Sequence, residues 1–225
     1  MRKSITLVHM GDSITFGQYL DPSLCWTTLV DERLADRFAD SVDIVSLNRG
    51  VSNDTTRMGL ERFPADVQHA APDVMTLQFG LNDCNCWQTD GGLPRVSERA
   101  FTANLVEMIA RARRFGALEI VMQTNHRTLR RGRLPSGEVY ESANARYNEL
   151  IREVAGATKV ELCDIQRVFE PFDDETLRRL LLPAPDVLHL SEEGNAIVAN
   201  AIYPYLEAAI ERATAAKNEM EVQRP

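Results

Sequence analysis

The stretch "SITLVHMGDSIT", residues 4–15, decides the fold: a run that alternates and then ends like a short buried strand is left abruptly through Gly-Asp-Ser. Those three are turn formers, so the strand stops and a hydroxyl, Ser13, is placed at the corner. Apolar runs of the same length recur as "VDIVSL" (42–47), "DVMTLQF" (73–79), "LEIVMQT" (118–124) and "KVELCDI" (159–165). Most are nearly continuous in Val, Ile or Leu, the pattern of strands covered on both faces.

Longer segments of helical period separate these runs. The clearest covers 97–115, where Phe101, Leu105, Met108, Ile109 and Ala112 fall on one face. Ser97 is placed to cap its free amides, Val96 to pack on Phe101, and Gly116 to end it. A last helix is read from Ser191 to about Ala215, and the tail "KNEMEVQRP" carries no packing pattern. Strand and helix in alternation predict right-handed crossovers and a parallel sheet of five strands with helices on both faces, an α/β fold of three layers. Neither a repeat nor a linker interrupts the chain, so residues 1–216 are read as one domain and 217–225 as a polar tail.

With 225 residues, 44% of them hydrophobic, the chain is long enough for a sizeable core. A formal net charge of −8 argues against a general nucleic-acid binder. The apolar run near the amino terminus is too short for a signal peptide and no stretch reaches the length of a membrane span, so a cytoplasmic location is expected, with a mature form whose leader was removed as the alternative. Cys25, Cys84, Cys86 and Cys163 are too few and scattered for a disulfide framework, and reduced thiols are expected. "CNC" at 84–86 is tighter than zinc-ligand spacing and lacks a matching pair, which leaves no metal site to propose.

In an open parallel sheet, ligands bind beyond the carboxyl ends of the strands. Ser13 follows the first strand; "NRGVS", with Asn48, Gly50 and Ser52, follows the second; "GLND", with Gly80, Asn82 and Asp83, follows the third. "DVLH", Asp186 to His189, precedes the last helix. Taken singly, each block reads as an ordinary turn or helix entry. Their joint order and shared edge are what carry weight.

In that order the blocks resemble the SGNH hydrolases, also called the GDSL family, whose members carry Ser in a G-D-S block, a Gly in a second block, Asn in G-x-N-D and a terminal D-x-x-H. The matching positions are Ser13, Gly50, Asn82, Asp186 and His189, spread over nearly the whole chain; Ile14 stands where many members have Leu. The resemblance implies a flavodoxin-like sheet and an esterase that needs no cofactor. It implies Ser13 as nucleophile, His189 as base, and Asp186 as its orienter. It also implies an oxyanion hole from the Ser13 and Gly50 backbone amides and the Asn82 side chain.

The residue chemistry is consistent with those roles. A serine hydroxyl becomes a useful nucleophile only when a base takes its proton, imidazole titrates near neutrality, and a carboxylate three residues earlier is within reach of that imidazole. Trp87, His126 and Arg127 are further candidates for lining the pocket. Within the basic run Arg127, Arg130, Arg131 and Arg133 a solvated loop is the favoured reading, with recognition of a substrate carboxylate or phosphate as the functional alternative. His9 is read as a core histidine, His69 as solvated, and Asp83 as a structural acceptor.

The partner expected is a small-molecule ester, with no nucleic acid and no membrane span; the sequence leaves the oligomeric state open. A short acyl group, such as acetyl on a carbohydrate or metabolite, is the first expectation. Lysophospholipase or acyl-thioester hydrolase activity is the alternative within the class. A non-catalytic carbohydrate- or metabolite-binding protein is the rival outside it, and a flavodoxin-type nucleotide site is disfavoured because the first loop lacks a glycine-rich phosphate cradle.

Overall fold

The computed structural model describes residues 3–222. In chain order its main elements are β1 (Lys3–Gly11), α1 (Ser13–Phe16), α2 (Trp26–Phe38), β2 (Val42–Gly50), α3 (Thr56–Phe63) and β3 (Val74–Gln78). There follow α4 (Glu98–Arg114), β4 (Glu119–Gln123), α5 (Tyr140–Thr158), β5 (Glu161–Cys163), α6 (Ile165–Phe169), α7 (Asp174–Leu180) and α8 (Glu192–Val222). All five expected strands form, paired in parallel in the order β2-β1-β3-β4-β5. The chain winds to one side of β1 and then returns to the other, so the order reverses between β1 and β3. That is where an open sheet of this type opens a crevice for ligand.

The near-continuous apolar runs are explained by burial from both sides. Ile5, Leu7, Val8 and Met10 of β1 and Val74, Met75 and Leu77 of β3 are all buried. One face is covered by α2 packed on α8, and α3, α4 and α5 pack on one another in succession. His9, polar within β1, is satisfied as expected: its ring nitrogens lie 3.0 Å from Thr76 Oγ1 and 2.9 Å from Asp31 Oδ1. The Trp26 ring meets it edge-on at 5.1 Å, and the Trp26 indole N–H donates to the Ile14 carbonyl at 3.0 Å, which ties α2 to the corner after β1. All four cysteines are free and buried. Among the described residues no helix is long and apolar enough to cross a membrane.

Ser97 caps α4 through an acceptor bond from the Ala100 amide, as its position in the sequence suggested. The carboxyl end departs from expectation. Helix α8 does not stop near Ala215 but continues to Val222; of the expected polar tail, residues 223–225 lie outside the described residues. Lys217 accounts for the extension, since its ammonium donates to both oxygens of Asp73, at 2.7 and 2.8 Å, and to the Ser4 carbonyl at 2.9 Å. Asp73 also accepts from the Thr6 amide at 2.9 Å, so the helix end is fastened to the start of β1 and the entry to β3. Lys217→Ala is expected to lower the free energy of unfolding by about 1 kcal/mol, the scale of a partly exposed, hydrogen-bonded ion pair. Urea titration checks this, and an unchanged midpoint at unchanged slope would show that the extension adds no stability.

Candidate active site

The corner after β1 is built by close approach. A Cβ on Gly11 would lie 2.1 Å from Thr15 Oγ1 and 2.8 Å from the Gln78 carbonyl oxygen, so glycine lets the first turn of α1 settle against β3. Asp12 caps that turn by accepting from the Ile14 amide at 2.9 Å. Ser13 is thereby the first residue of α1, held at the carboxyl edge of the sheet beside the reversal of strand order.

His189 arrives from the opposite end of the chain. An antiparallel bridge between Leu181 and Leu190 and a bond from the Leu182 amide to the His189 carbonyl at 2.8 Å close the loop that carries it. Within the loop Asp186 Oδ1 accepts from the amides of Leu188 and His189 at 3.0 and 2.7 Å. Its Oδ2 lies 2.7 Å from His189 Nδ1, and His189 Nε2 lies 2.9 Å from Ser13 Oγ. The carboxylate accepts from Nδ1–H, so Nε2 is left to accept from the serine hydroxyl. Burial acts to raise the Asp186 pKa, but the hydrogen bonds from His189 and Leu188 outweigh it and hold the group below the ordinary carboxylate range.

Around this line of groups lies a groove of about 260 Å³ bordered by Ser13, Tyr19, Asn53, Asn82, Arg130 and His189. Leu81 and Leu188 give it apolar wall, and Gln18, Ser52 and Asn85 add polar edge. Asn82, at the groove's border, donates one amide hydrogen to the Asp54 carbonyl at 3.0 Å. Asp83, as expected, is structural: its Oδ1 accepts from the Thr56 amide and hydroxyl at 2.9 and 2.5 Å.

Gly50 is not where the sequence pattern put it. It is the last residue of β2, and its N–H is already given to Asn48 Oδ1 at 2.8 Å. Its lack of a side chain serves a different contact, because a Cβ there would lie 2.2 Å from the Phe16 amide nitrogen. From this loop Ser52 and Asn53 border the groove, and Asn53 lies in the left-handed region at φ 68°. Its N–H has no protein acceptor among the described residues. The sequence signal was an Asn-Asp step next to a strand end, which suits a left-handed turn but names no function.

The three other candidates also lie off the groove. His126 is buried, its Nε2–H donating to the Leu188 carbonyl at 2.8 Å, and burial lowers its pKa to about 4, so it supports the His189 loop as a neutral ring. Arg127 donates to the carbonyls of Glu170 and Phe172, beside a separate cavity of about 490 Å³ that holds Arg152 and Glu149 and no nucleophile. Trp87 is 46% exposed and stacks under the Arg95 guanidinium, 4.2 Å away. Of the basic run, Arg130 is the member that reaches the groove, while Arg131 pairs with Asp174 and Arg133 binds the Gly137 carbonyl. Tyr19, whose ring meets His189 edge-on at 5.3 Å, carried no sequence signal.

A serine, an imidazole and a carboxylate in bonding sequence, at the edge of a flavodoxin-like sheet, define the SGNH hydrolase class. The sequence model of the GDSL-like Lipase/Acylhydrolase family matches residues 9–197, and the chain belongs to that family. Esterase TesA of Pseudomonas aeruginosa is 32% identical over 117 residues, which span 52% of this chain and 53% of TesA, about half the length of that relative. The uncharacterized lipoprotein YqeF of Bacillus subtilis is 29% identical and aligned over 87% of each chain. Among solved structures, a lipase/acylhydrolase from Enterococcus faecalis superposes with a TM-score of 0.71 at 24% identity, covering 92% of this chain and 96% of that one.

Beneath Ser13 lies a buried carboxylate with consequences for stability. Burial, reinforced by the charges of Asp83 and Asp54, raises the Asp12 pKa to about 7 against the opposing bonds from Ile14 and Gln78. A folded pKa above the roughly 3.9 of an unfolded carboxyl means that protonation favours folding. This contribution is complete below about pH 4 and is lost as pH rises through 7. His126 acts in the other sense, its contribution present above about pH 6.5 and lost as pH falls toward 4. Comparison with Asp12→Asn, which keeps His126 and removes the titration, isolates the first effect. The stability of the native protein relative to that variant should fall between pH 5 and pH 8 in denaturant titrations, and a constant difference would place the Asp12 pKa in the ordinary range.

Proposed function

We propose that this chain hydrolyses carboxylic esters through an acyl-enzyme on Ser13. The observation that carries the reading is the unbroken line from Asp186 Oδ2 through His189 to Ser13 Oγ, with separations of 2.7 and 2.9 Å. As Oγ attacks the carbonyl carbon, its proton passes to Nε2, and Asp186 stabilises the imidazolium that forms. The oxyanion is held by the Ser13 N–H, the Asn82 side-chain amide and the Asn53 N–H, which takes the role first expected of Gly50. His189 then protonates the leaving alcohol. Water then attacks the acyl carbon while giving a proton to the same nitrogen, the acyl–Oγ bond breaks to release the acid, and His189 returns the proton to Ser13 Oγ.

A short acyl group and a polar alcohol, such as an O-acetylated carbohydrate or metabolite, fit the groove best. At about 260 Å³, with Leu81 and Leu188 as its apolar wall and amide, hydroxyl and guanidinium groups around the rest, it offers little cover for a long acyl chain. A lysophospholipase or long-chain thioesterase would require a longer apolar channel than this. Four unpaired, buried thiols are consistent with the expected cytoplasmic location, and a relative named a lipoprotein weighs against it.

A fluorophosphonate probe should label the native protein and fail to label Ser13→Ala; an unlabelled native protein would favour the non-catalytic binding reading. Across nitrophenyl esters from acetyl to decanoyl, kcat/KM should fall, and a rise with chain length would remove the short-acyl assignment. Asn82→Ala should lower kcat by about 10²–10³-fold while KM stays within a few-fold, the usual effect of losing one oxyanion donor.

A further inference from the structure

We infer that Arg95 is a positioning residue for the oxyanion hole, a clamp that lets an asparagine stand in a backbone conformation glycine would adopt unaided. The inference rests on the ester-hydrolase reading and adds to it a residue that touches neither the substrate nor the reacting groups.

Asn53 sits at φ 68°, a region that side chains with a Cβ enter at a cost, although asparagine enters it more readily than most. Left to itself, such a residue would sample the ordinary right-handed or extended regions, and its N–H would swing away from the groove. Arg95 opposes this by two bonds from one nitrogen: Nη1 donates to the Asn53 carbonyl at 3.2 Å and to its side-chain Oδ1 at 2.9 Å. Fixing the carbonyl and the side chain together holds the Cα of Asn53 against reorientation at the groove that it shares with Ser13 and Asn82, and its N–H, without a protein acceptor among the described residues, is thereby kept free for an oxyanion.

The guanidinium is itself held on several sides. Its plane lies over the Trp87 ring at 4.2 Å, its Nη2 approaches Met58 Sδ at 3.8 Å, and the Arg95 amide donates to the Asn85 carbonyl at 2.8 Å. Trp87 is in turn fixed by its own amide, which donates to Asp90 at 2.7 Å. The half-exposed indole and the half-buried arginine therefore serve the catalytic edge from outside the groove. A lysine in place of Arg95 would keep the charge but lose the planar fork and the stacking surface.

A double-mutant cycle tests the assignment. In the native background Arg95→Ala should lower kcat on nitrophenyl acetate by about 10-fold or more with KM changed less than about 3-fold, because an oxyanion donor is displaced while substrate contacts remain. In the Asn53→Gly background, where the left-handed turn needs no clamp, adding Arg95→Ala should lower kcat by no more than about 2-fold. Arg95→Lys should behave like the alanine variant, not like the native protein. Equal losses in both backgrounds, a loss confined to KM, or full activity in Arg95→Ala would each overturn the clamp. Thermal melting of each variant separates a positioning effect from unfolding, and if Arg95→Ala does not fold, Arg95→Gln takes its place in the cycle with the same criteria. Fluorophosphonate labelling of the native protein stands apart: labelled protein with an additive cycle refutes the clamp alone, whereas absence of labelling refutes the hydrolase reading itself.

Discussion

Everything at the carboxyl edge of the sheet depends on how closely the corner after β1 approaches its neighbouring strands. Two positions without side chains permit it: Gly11 against Thr15 and the Gln78 carbonyl, and Gly50 against the backbone of Thr15 and Phe16. Any Cβ at either point would meet backbone atoms nearer than 3 Å. Arg62 then ties the same strand ends from beneath, donating to the carbonyls of Gly11 and Arg49 while pairing with Asp54 at 2.6 Å. The serine is thus placed by packing between backbones, and a loop at its own sequence position could not place it as firmly.

The base reaches that serine from 176 residues further along the chain, and its loop shows how such a long connection is made reliable. The Val187 carbonyl accepts from Leu129, the Asp186 carbonyl from Arg130, and the Leu188 carbonyl from His126. All three donors come from the segment after β4, so the fourth strand end supports the Asp-His loop, and of the three Arg130 also borders the groove. That explains why His126, a candidate for lining the pocket, does not line it. It lies on the correct edge, but its one polar contact is used to hold a carbonyl, and burial keeps its ring neutral.

The strands and the Ser13, Asp186 and His189 groups were legible because each leaves a mark that a single sequence carries: apolar runs for buried strands, and reactive residue types in loops at the sheet's edge. What was hidden depends on contacts between distant residues. Glycine at position 50 reads the same whether it serves an oxyanion or admits the Phe16 amide, and only the contact tells which. The Asn-Asp step at 53 suits a left-handed turn but names no role until Arg95, forty-two positions away, is seen to bind Asn53. Arg127 and Arg130 belong to one basic run, and the fold alone decides that the second faces the groove. Helix α8 runs past its last expected turn because Lys217 meets Asp73, a pair separated by 144 residues that no local periodicity could announce.

The electrostatics under the site complete the logic of the arrangement. Three carboxyl groups, Asp12, Asp54 and Asp83, are buried below a place where the proposed reaction develops negative charge, and if all were ionised without compensation they would oppose it. Each is neutralised differently. Asp54 is paired with Arg62 in a nearly buried contact at 2.6 Å. Asp12 is kept protonated up to neutrality by burial, with its pKa near 7. Asp83, raised to about 6 by burial, draws bonds from Thr56 and feels the positive charge of Arg95. The guanidinium that binds Asn53 therefore also acts on Asp83, so one side chain outside the groove links the Asn53 turn to part of the charge beneath it.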